Sequence, residues 1–202
     1  VELLLVRHGL PVRLESDNGP ADPGLAPEGH SQAQALGQWL AGTGIDALFT
    51  SPMQRAVETA APLAELTGLA PTVLDGLAEW DRDASSYVPL EELQLEAPET
   101  FAELATAMMT GQWEVLGIDM EGFRTRVAEA MTHIIDNSPG QKVAVVCHGG
   151  VINVFLARVL GLPQDLFFAP TYTGVSRVWA SRKGHRGILS INEAPHLLPG
   201  LL

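Results

Sequence analysis

The sequence is poor in cysteine, in basic residues and in long apolar runs, and each shortage excludes something. A single cysteine among 202 residues, Cys147, rules out an intramolecular disulfide and fits a reducing compartment, so a cytoplasmic protein is expected. Twelve Lys and Arg stand against 24 Asp and Glu, a formal net charge of −12, which excludes the basic face that nucleic-acid binding requires. An anionic ligand must then be held locally, by a few convergent arginines inside an acidic globe. No uninterrupted apolar run approaches the roughly 18 residues of a membrane-spanning helix, so no membrane partner is expected, and no signal-peptide pattern precedes the first strand. The six histidines show neither the paired helical spacing nor the cysteine pairs of zinc sites, so no metal is expected. No Walker-type or dinucleotide-binding glycine loop stands where a strand meets a helix, and no cofactor is expected either.

What remains is a chain of 46% hydrophobic and 18% charged residues, the composition of one globular domain. Residues 1–9, VELLLVRHG, read as a short strand buried on both faces that runs into Arg7, His8 and Gly9, with the glycine permitting a sharp turn. Residues 10–27, rich in Pro, Gly, Asp and Asn, read as a loop. A helix from 26 to about 42 carries Ala33, Leu36, Leu40 and Ala41 at helical spacing, with His30 on its surface. Residues 45–50 form a second strand, and Ser51-Pro52 fits the N-cap and first position of a helix to about 67, with Arg55 one turn in.

Residues 70–74 are a third strand leading into Leu77-Ala78-Glu79-Trp80-Asp81. Residues 89–117 read as one or two helices, with Leu90, Leu93, Phe101, Leu104, Met108 and Trp113 as core or lid contacts. Residues 119–137 are the clearest amphipathic helix, with His133 structural or exposed. The β-branched run 142–147, KVAVVC, is a central strand that ends in His148-Gly149-Gly150 and a helix to Gly161, repeating the layout of the opening. Residues 175–181 and 187–192 form an edge hairpin through Lys183-Gly184, and the tail after Glu193 is peripheral. The alternation predicts an α/β three-layer sandwich: a mainly parallel sheet, helices on both faces, and a helical lid insertion at about 77–120.

Charged side chains thus recur where strands end or helices begin: Arg7 and His8, Arg55, Glu79, and His148. On such sheets ligands bind beyond the carboxyl ends of the strands. In the order and spacing of Arg7-His8-Gly9, Ser51-Pro52 with Arg55, Leu77-Ala78-Glu79 and His148-Gly149, the sequence resembles the histidine phosphatase superfamily, also called the phosphoglycerate mutase-like family. The resemblance implies that His8 accepts a phosphoryl group as a phosphohistidine. It implies that Arg7, Arg55 and His148 bind the phosphoryl oxygens, joined by the Gly149 backbone N–H at a helix start. Glu79 matches the family's proton donor, with Asp81 as the alternative two residues on.

Departures from the family pattern follow Gly9, where Leu10-Pro11-Val12-Arg13-Leu14 replaces the usual polar phosphate contacts; Arg13 and Asn18 are the candidate substitutes. The Trp-Glu-Gly element of the mutases is also missing, which with the short chain favours a phosphatase acting on a small phosphomonoester. A mutase-type phosphoryl transferase and an inactive phosphate-binding protein are the competing functions. A cysteine-based phosphatase is disfavoured because Asn153 stands where its arginine would follow Cys147. The sequence leaves the substrate open, and a homodimer is compatible with it.

Overall fold

The computed structural model describes residues 1–197; the side chains of Leu90, Glu91 and Val115, and with them the expected contact of Leu90, lie outside the described residues. Its centre is a six-stranded sheet in the order β4-β3-β6-β1-β7-β8, built from β1 (Glu2–Arg7), β3 (Ala47–Thr50), β4 (Thr72–Val73), β6 (Lys142–Cys147), β7 (Val175–Ala180) and β8 (Arg186–Glu193). The pairings β4–β3, β3–β6 and β6–β1 are parallel, while β7 and β8 are antiparallel and form the edge hairpin expected from the sequence.

Successive side chains of a strand point to opposite faces, so a strand covered on both sides must be apolar throughout. Leu3 and Leu5 of β1 join Val143, Val145 and Cys147 of β6 against helices α5 (Met120–Asn137) and α6 (Gly149–Leu160). Leu4 and Val6 join Ala144 and Val146 on the other face, against α1 (Pro27–Ala41) and α2 (Gln54–Thr67). Leu3 and Leu5 are fully buried, a burial worth about 1.5–3 kcal/mol per side chain. The result is a three-layer α/β sandwich with a mainly parallel sheet.

Several local expectations need correction. Helix α2 begins at Gln54 with Met53 as its N-cap, not at Ser51-Pro52, because Ser51 Oγ accepts the Met53 N–H in a turn that precedes the helix. The loop 10–27 contains a two-residue strand, β2 (Leu14–Glu15), paired antiparallel with β5 (Ser86–Tyr87). Only the long-range partner, more than 70 residues away, makes β2 a strand, and local composition cannot show it. The third strand shrinks to Thr72–Val73 at the exposed sheet edge. Between β4 and α5 lie 3-10 turns at Asp75–Leu77, Trp80–Asp83 and Trp113–Leu116 and the helices α3 (Leu90–Glu96) and α4 (Pro98–Thr110).

Gly9 does not carry the left-handed backbone that a sharp glycine turn suggests. A Cβ there would lie 2.7 Å from the Gly29 carbonyl oxygen, and one on Gly29 would lie 2.1 Å from that of Leu10. The two glycines are needed for the close approach of the loop after β1 to the start of α1, not for a positive φ. Among the described residues no helix is long and apolar enough to cross a membrane.

Candidate active site

All four parallel strands run the same way, so their carboxyl ends gather on one edge of the sheet. β1 and β6 are neighbours in register, with Arg7 opposite Cys147. The next residue of each chain is a histidine, and the rings of His8 and His148 lie 5.1 Å apart between centroids. β3 on the far side of β6 delivers Ser51, whose N–H donates to the Val146 carbonyl and whose Oγ lies 2.7 Å from His148 Nε2.

His8 is 3% exposed, and its Nδ1 lies 2.8 Å from the Gly9 carbonyl oxygen. A carbonyl can only accept, so Nδ1 carries the ring proton and Nε2 presents a lone pair. Burial, with the Arg55 and Arg7 charges, holds its pKa well below the usual imidazole range. The same causes, burial foremost, keep His148 neutral. Both rings are therefore uncharged at neutral pH, the state that a nucleophilic nitrogen requires.

Arg55 is the second residue of α2 and is 1% exposed. Its Nη2 donates to both oxygens of Asp81, at 2.9 and 3.1 Å, and its guanidinium lies 4.6 Å from the Tyr87 ring centroid. Arg7 donates through Nη1 to the Pro170 carbonyl and stacks 3.8 Å over the Tyr172 ring. Thr59 ties the two parts together: its Oγ1 accepts the Gly9 N–H at 2.9 Å and donates to the Arg55 carbonyl at 2.6 Å.

Four buried donor-capable atoms of this cluster have no protein partner: Arg7 Nε, Arg55 Nε, Arg55 Nη1 and His148 Nδ1. Buried polar groups are almost always hydrogen-bonded, and an orphan costs about 1–3 kcal/mol, more when charged. Four of them around one imidazole can donate to an anion with several oxygens.

Glu79 follows the turn Asp75–Leu77 and is 6% exposed. Its Oε2 accepts the Gly150 N–H at 2.7 Å and its Oε1 accepts the Trp80 N–H at 3.1 Å. Burial, reinforced by the Asp81 charge, pushes its pKa up to about 7. Arg126 of α5 fixes the approach to Glu79, its Nη1 donating to the carbonyls of Asp75, Gly76 and Ala78.

The sequence-derived candidates divide cleanly. Arg7, His8, Arg55 and His148 come together, with Glu79 held against the first turn of α6 and Gly149 beside Arg7. The other two do not join them. Arg13 spends its guanidinium on Glu96 and Glu15. Asn18 is exposed on a bend and makes no hydrogen bond to the cluster. Their loop folds onto β5 through β2, which carries both away from the roles expected of them. His30 is exposed beside Glu58, and His133 is exposed on α5.

Tyr172 and Ser51 escaped sequence reading as site residues. Tyr172 sits in an irregular segment with no periodic pattern, and its position follows from Thr173 N–H donating to the Arg7 carbonyl. Ser51 reads from sequence as a helix cap, which hides its contact with His148.

An α/β sandwich with two neutral histidines, a buried and a half-buried arginine and a protonatable carboxyl at one sheet edge is the layout of a phosphoryl-handling enzyme. The chain belongs to the histidine phosphatase superfamily (branch 1), whose family model matches residues 3–193, and it is a phosphatase of that superfamily, whose hallmark is a phosphohistidine intermediate. It is 27% identical to phosphoserine phosphatase 1 of Hydrogenobacter thermophilus over 84% of this chain and 81% of that one. It is also 27% identical to an uncharacterised phosphatase of Bacillus subtilis, over 80% and 79% of the two chains. Among solved structures, a phosphoserine phosphatase mutant of Entamoeba histolytica with bound phosphoserine superposes with a TM-score of 0.75 at 22% identity, covering 98% of this chain and 99% of that one. A mycobacterial glucosyl-3-phosphoglycerate phosphatase gives 0.73 at 21%, covering 96% and 99%.

Proposed function

We propose that His8 is the nucleophile, Glu79 the proton donor, and Arg7, Arg55 and His148 the phosphoryl clamp of a phosphomonoesterase. The observation that carries this reading is the set of four partnerless buried atoms on Arg7, Arg55 and His148 around a histidine whose Nε2 is free.

His8 Nε2 attacks phosphorus, forming a P–N bond as the P–O bond to the alcohol breaks. Nδ1–H donates to the Gly9 carbonyl throughout and stabilises the positive charge that the ring acquires. The arginines hold equatorial oxygens by charge-assisted hydrogen bonds. With the Ser51 hydroxyl donating to Nε2, His148 offers Nδ1–H as a further donor, and the Gly149 N–H at the start of α6 adds to the same positive end of a helix. Positioning and charge stabilisation of this kind supply most of the catalysis in phosphoryl transfer.

Glu79, protonated below about pH 7, gives its proton to the departing alkoxide. As a carboxylate it then takes a proton from the water that attacks phosphorus, the P–N bond breaks, and inorganic phosphate and neutral His8 result. Asp81 is unsuited to this role because the Arg55 guanidinium occupies both its oxygens.

The insertion at 77–120 acts as the lid, fastened to the loop after β1 by the β2–β5 pair. Burial of the Cys147 thiol, which raises its pKa, fits a protein of the reducing cytoplasm. Phosphate release from a panel of phosphomonoesters tests the reading: inorganic phosphate appears in step with the free alcohol. Isomerisation of a phosphoglycerate without phosphate release contradicts it.

A further inference from the structure

All twelve basic side chains lie among the described residues, so the positive charge of the molecule can be followed group by group. Arg7 and Arg55 belong to the phosphoryl clamp. On the elements around it, Arg13 is matched by Glu96 and Glu15, Arg82 forks onto Asp75, and Arg124 forks onto Asp165. Arg126 donates through Nη1 to three backbone carbonyls and lies over the Phe123 ring.

The other six are remote or engaged. β7 runs antiparallel to β1, so the hairpin bearing Arg182 and Lys183 lies at the end of the sheet opposite His8. Arg186 donates to the Ser181 and His185 carbonyls there, and Lys142, at the start of β6, donates to the Thr43 carbonyl. Arg177 pairs with Glu2. Arg158 stands nine residues along α6 from Gly149, about 13 Å by helical rise.

Negative charge is distributed the other way. Residues 77–119 carry ten Asp and Glu against one arginine, Arg82. The N-terminus of α2, a place where a helix favours an anion, is already taken by Asp22, both of whose oxygens accept the Gln54 N–H. Near the clamp a second anionic group on a substrate finds cations already engaged, Arg13 and Arg82 by carboxylates and Arg126 by backbone carbonyls, and it enters an acidic surround.

We propose that the substrate of this site carries its negative charge on the phosphoryl group alone: it is a phosphomonoester of an uncharged or cationic alcohol, not of a hydroxy acid. The inference rests on the phosphatase reading above and sets this chain apart from relatives whose named substrates, such as phosphoserine, bear a carboxylate beside the phosphate.

Matched substrate pairs that differ in one carboxylate test it: glycerol 3-phosphate against 3-phosphoglycerate, and phosphoethanolamine against phosphoserine. Each is measured as substrate and as competitor of 4-nitrophenyl phosphate turnover by the intact chain. In each pair the carboxylate-free member is expected to have the higher kcat/KM, or the lower inhibition constant where neither is turned over, by about tenfold or more, equivalent to about 1.4 kcal/mol. Equal values, or preference for the carboxylate-bearing member in either pair, overturn the proposal. Absence of phosphate release from 4-nitrophenyl phosphate itself overturns the phosphatase reading instead, and the dissociation constants of the same pairs, measured by calorimetry on the intact chain, then decide the charge preference.

Discussion

The Gly150 N–H donates to Glu79 Oε2 at 2.7 Å, so the turn that delivers His148 also holds the carboxyl group that arrives from the β4 edge of the sheet. Gly150 is one residue into α6, and a Cβ on it would fall 2.0 Å from Trp80 Cζ3 and 2.4 Å from Glu79 Oε1. The neighbouring Gly149 has room: its Cβ would meet nothing nearer than Arg7 Nε at 3.9 Å. Gly150→Ala is therefore expected to push Trp80 and Glu79 off their positions, lowering kcat/KM at least about 100-fold and costing about 1–3 kcal/mol of stability from overpacking. Gly149→Ala, tested beside it by kinetics and denaturant unfolding, is expected to fold normally.

Glu79→Gln removes the proposed proton donor while keeping the shape. For an alkyl phosphate, whose alkoxide must be protonated to leave, kcat/KM is expected to fall by about 10²–10⁴. For 2,4-dinitrophenyl phosphate, whose leaving group needs no proton, the fall is expected to stay within about tenfold. The wild-type alkyl phosphate profile should decline as pH rises through about 7, where Glu79 loses its proton, and the variant should lack that limb.

The same group has a signature in stability. Its folded pKa lies above the ordinary carboxylate value of 4.5, so the folded state holds the extra proton between that value and about 7. Stability contributed by this group is thus full below about pH 4.5 and lost as pH rises to 7. Glu79→Gln is expected to be the more stable protein at pH 8, by up to about 3 kcal/mol, and to converge with wild type near pH 4. The depressed pKa values of His8 and His148 act oppositely below about pH 6.5, but in both proteins alike. Denaturant unfolding at the two pH values checks the difference.

Asp81→Asn takes the ionic partner from a guanidinium that is 1% exposed. The carboxylate itself is 23% exposed and partly screened, so the expected loss of stability is about 2 kcal/mol, below that of a fully buried pair. Arg55 loses its orientation, and KM for a phosphomonoester is expected to rise about tenfold. The Asp81 charge also helps to hold the Glu79 pKa up, so the alkaline limb of kcat/KM should move to lower pH. An unmoved limb with a lowered kcat would return the acid role to Asp81.

Much of this site is legible in the amino-acid order because strand burial has a strong local signal. Leu3 to Val6 and Val143 to Val146 cannot face water on either side, so they must be interior strands, and the polar residues that follow them must lie at a sheet edge. That logic delivers Arg7, His8 and His148 with no knowledge of tertiary structure. Arg55 and Glu79 are legible through family resemblance. The partners that position them are not: Asp81 meets Arg55 across 26 residues and Gly150 meets Glu79 across 71. The failed placement of Arg13 and Asn18 has the same origin. Their loop is held by backbone pairing of Leu14 and Glu15 with Tyr87 and Ser86, a contact without side-chain signature.

A phosphoryl group carried on His8 can be caught by rapid acid-free quenching during turnover, followed by mass spectrometry of the peptide containing residues 1–13. One phosphoryl adduct is expected on His8, stable to base and labile to acid, that disappears in His8→Ala together with activity. A phosphoryl group on another residue, or undiminished turnover by His8→Ala, would contradict it.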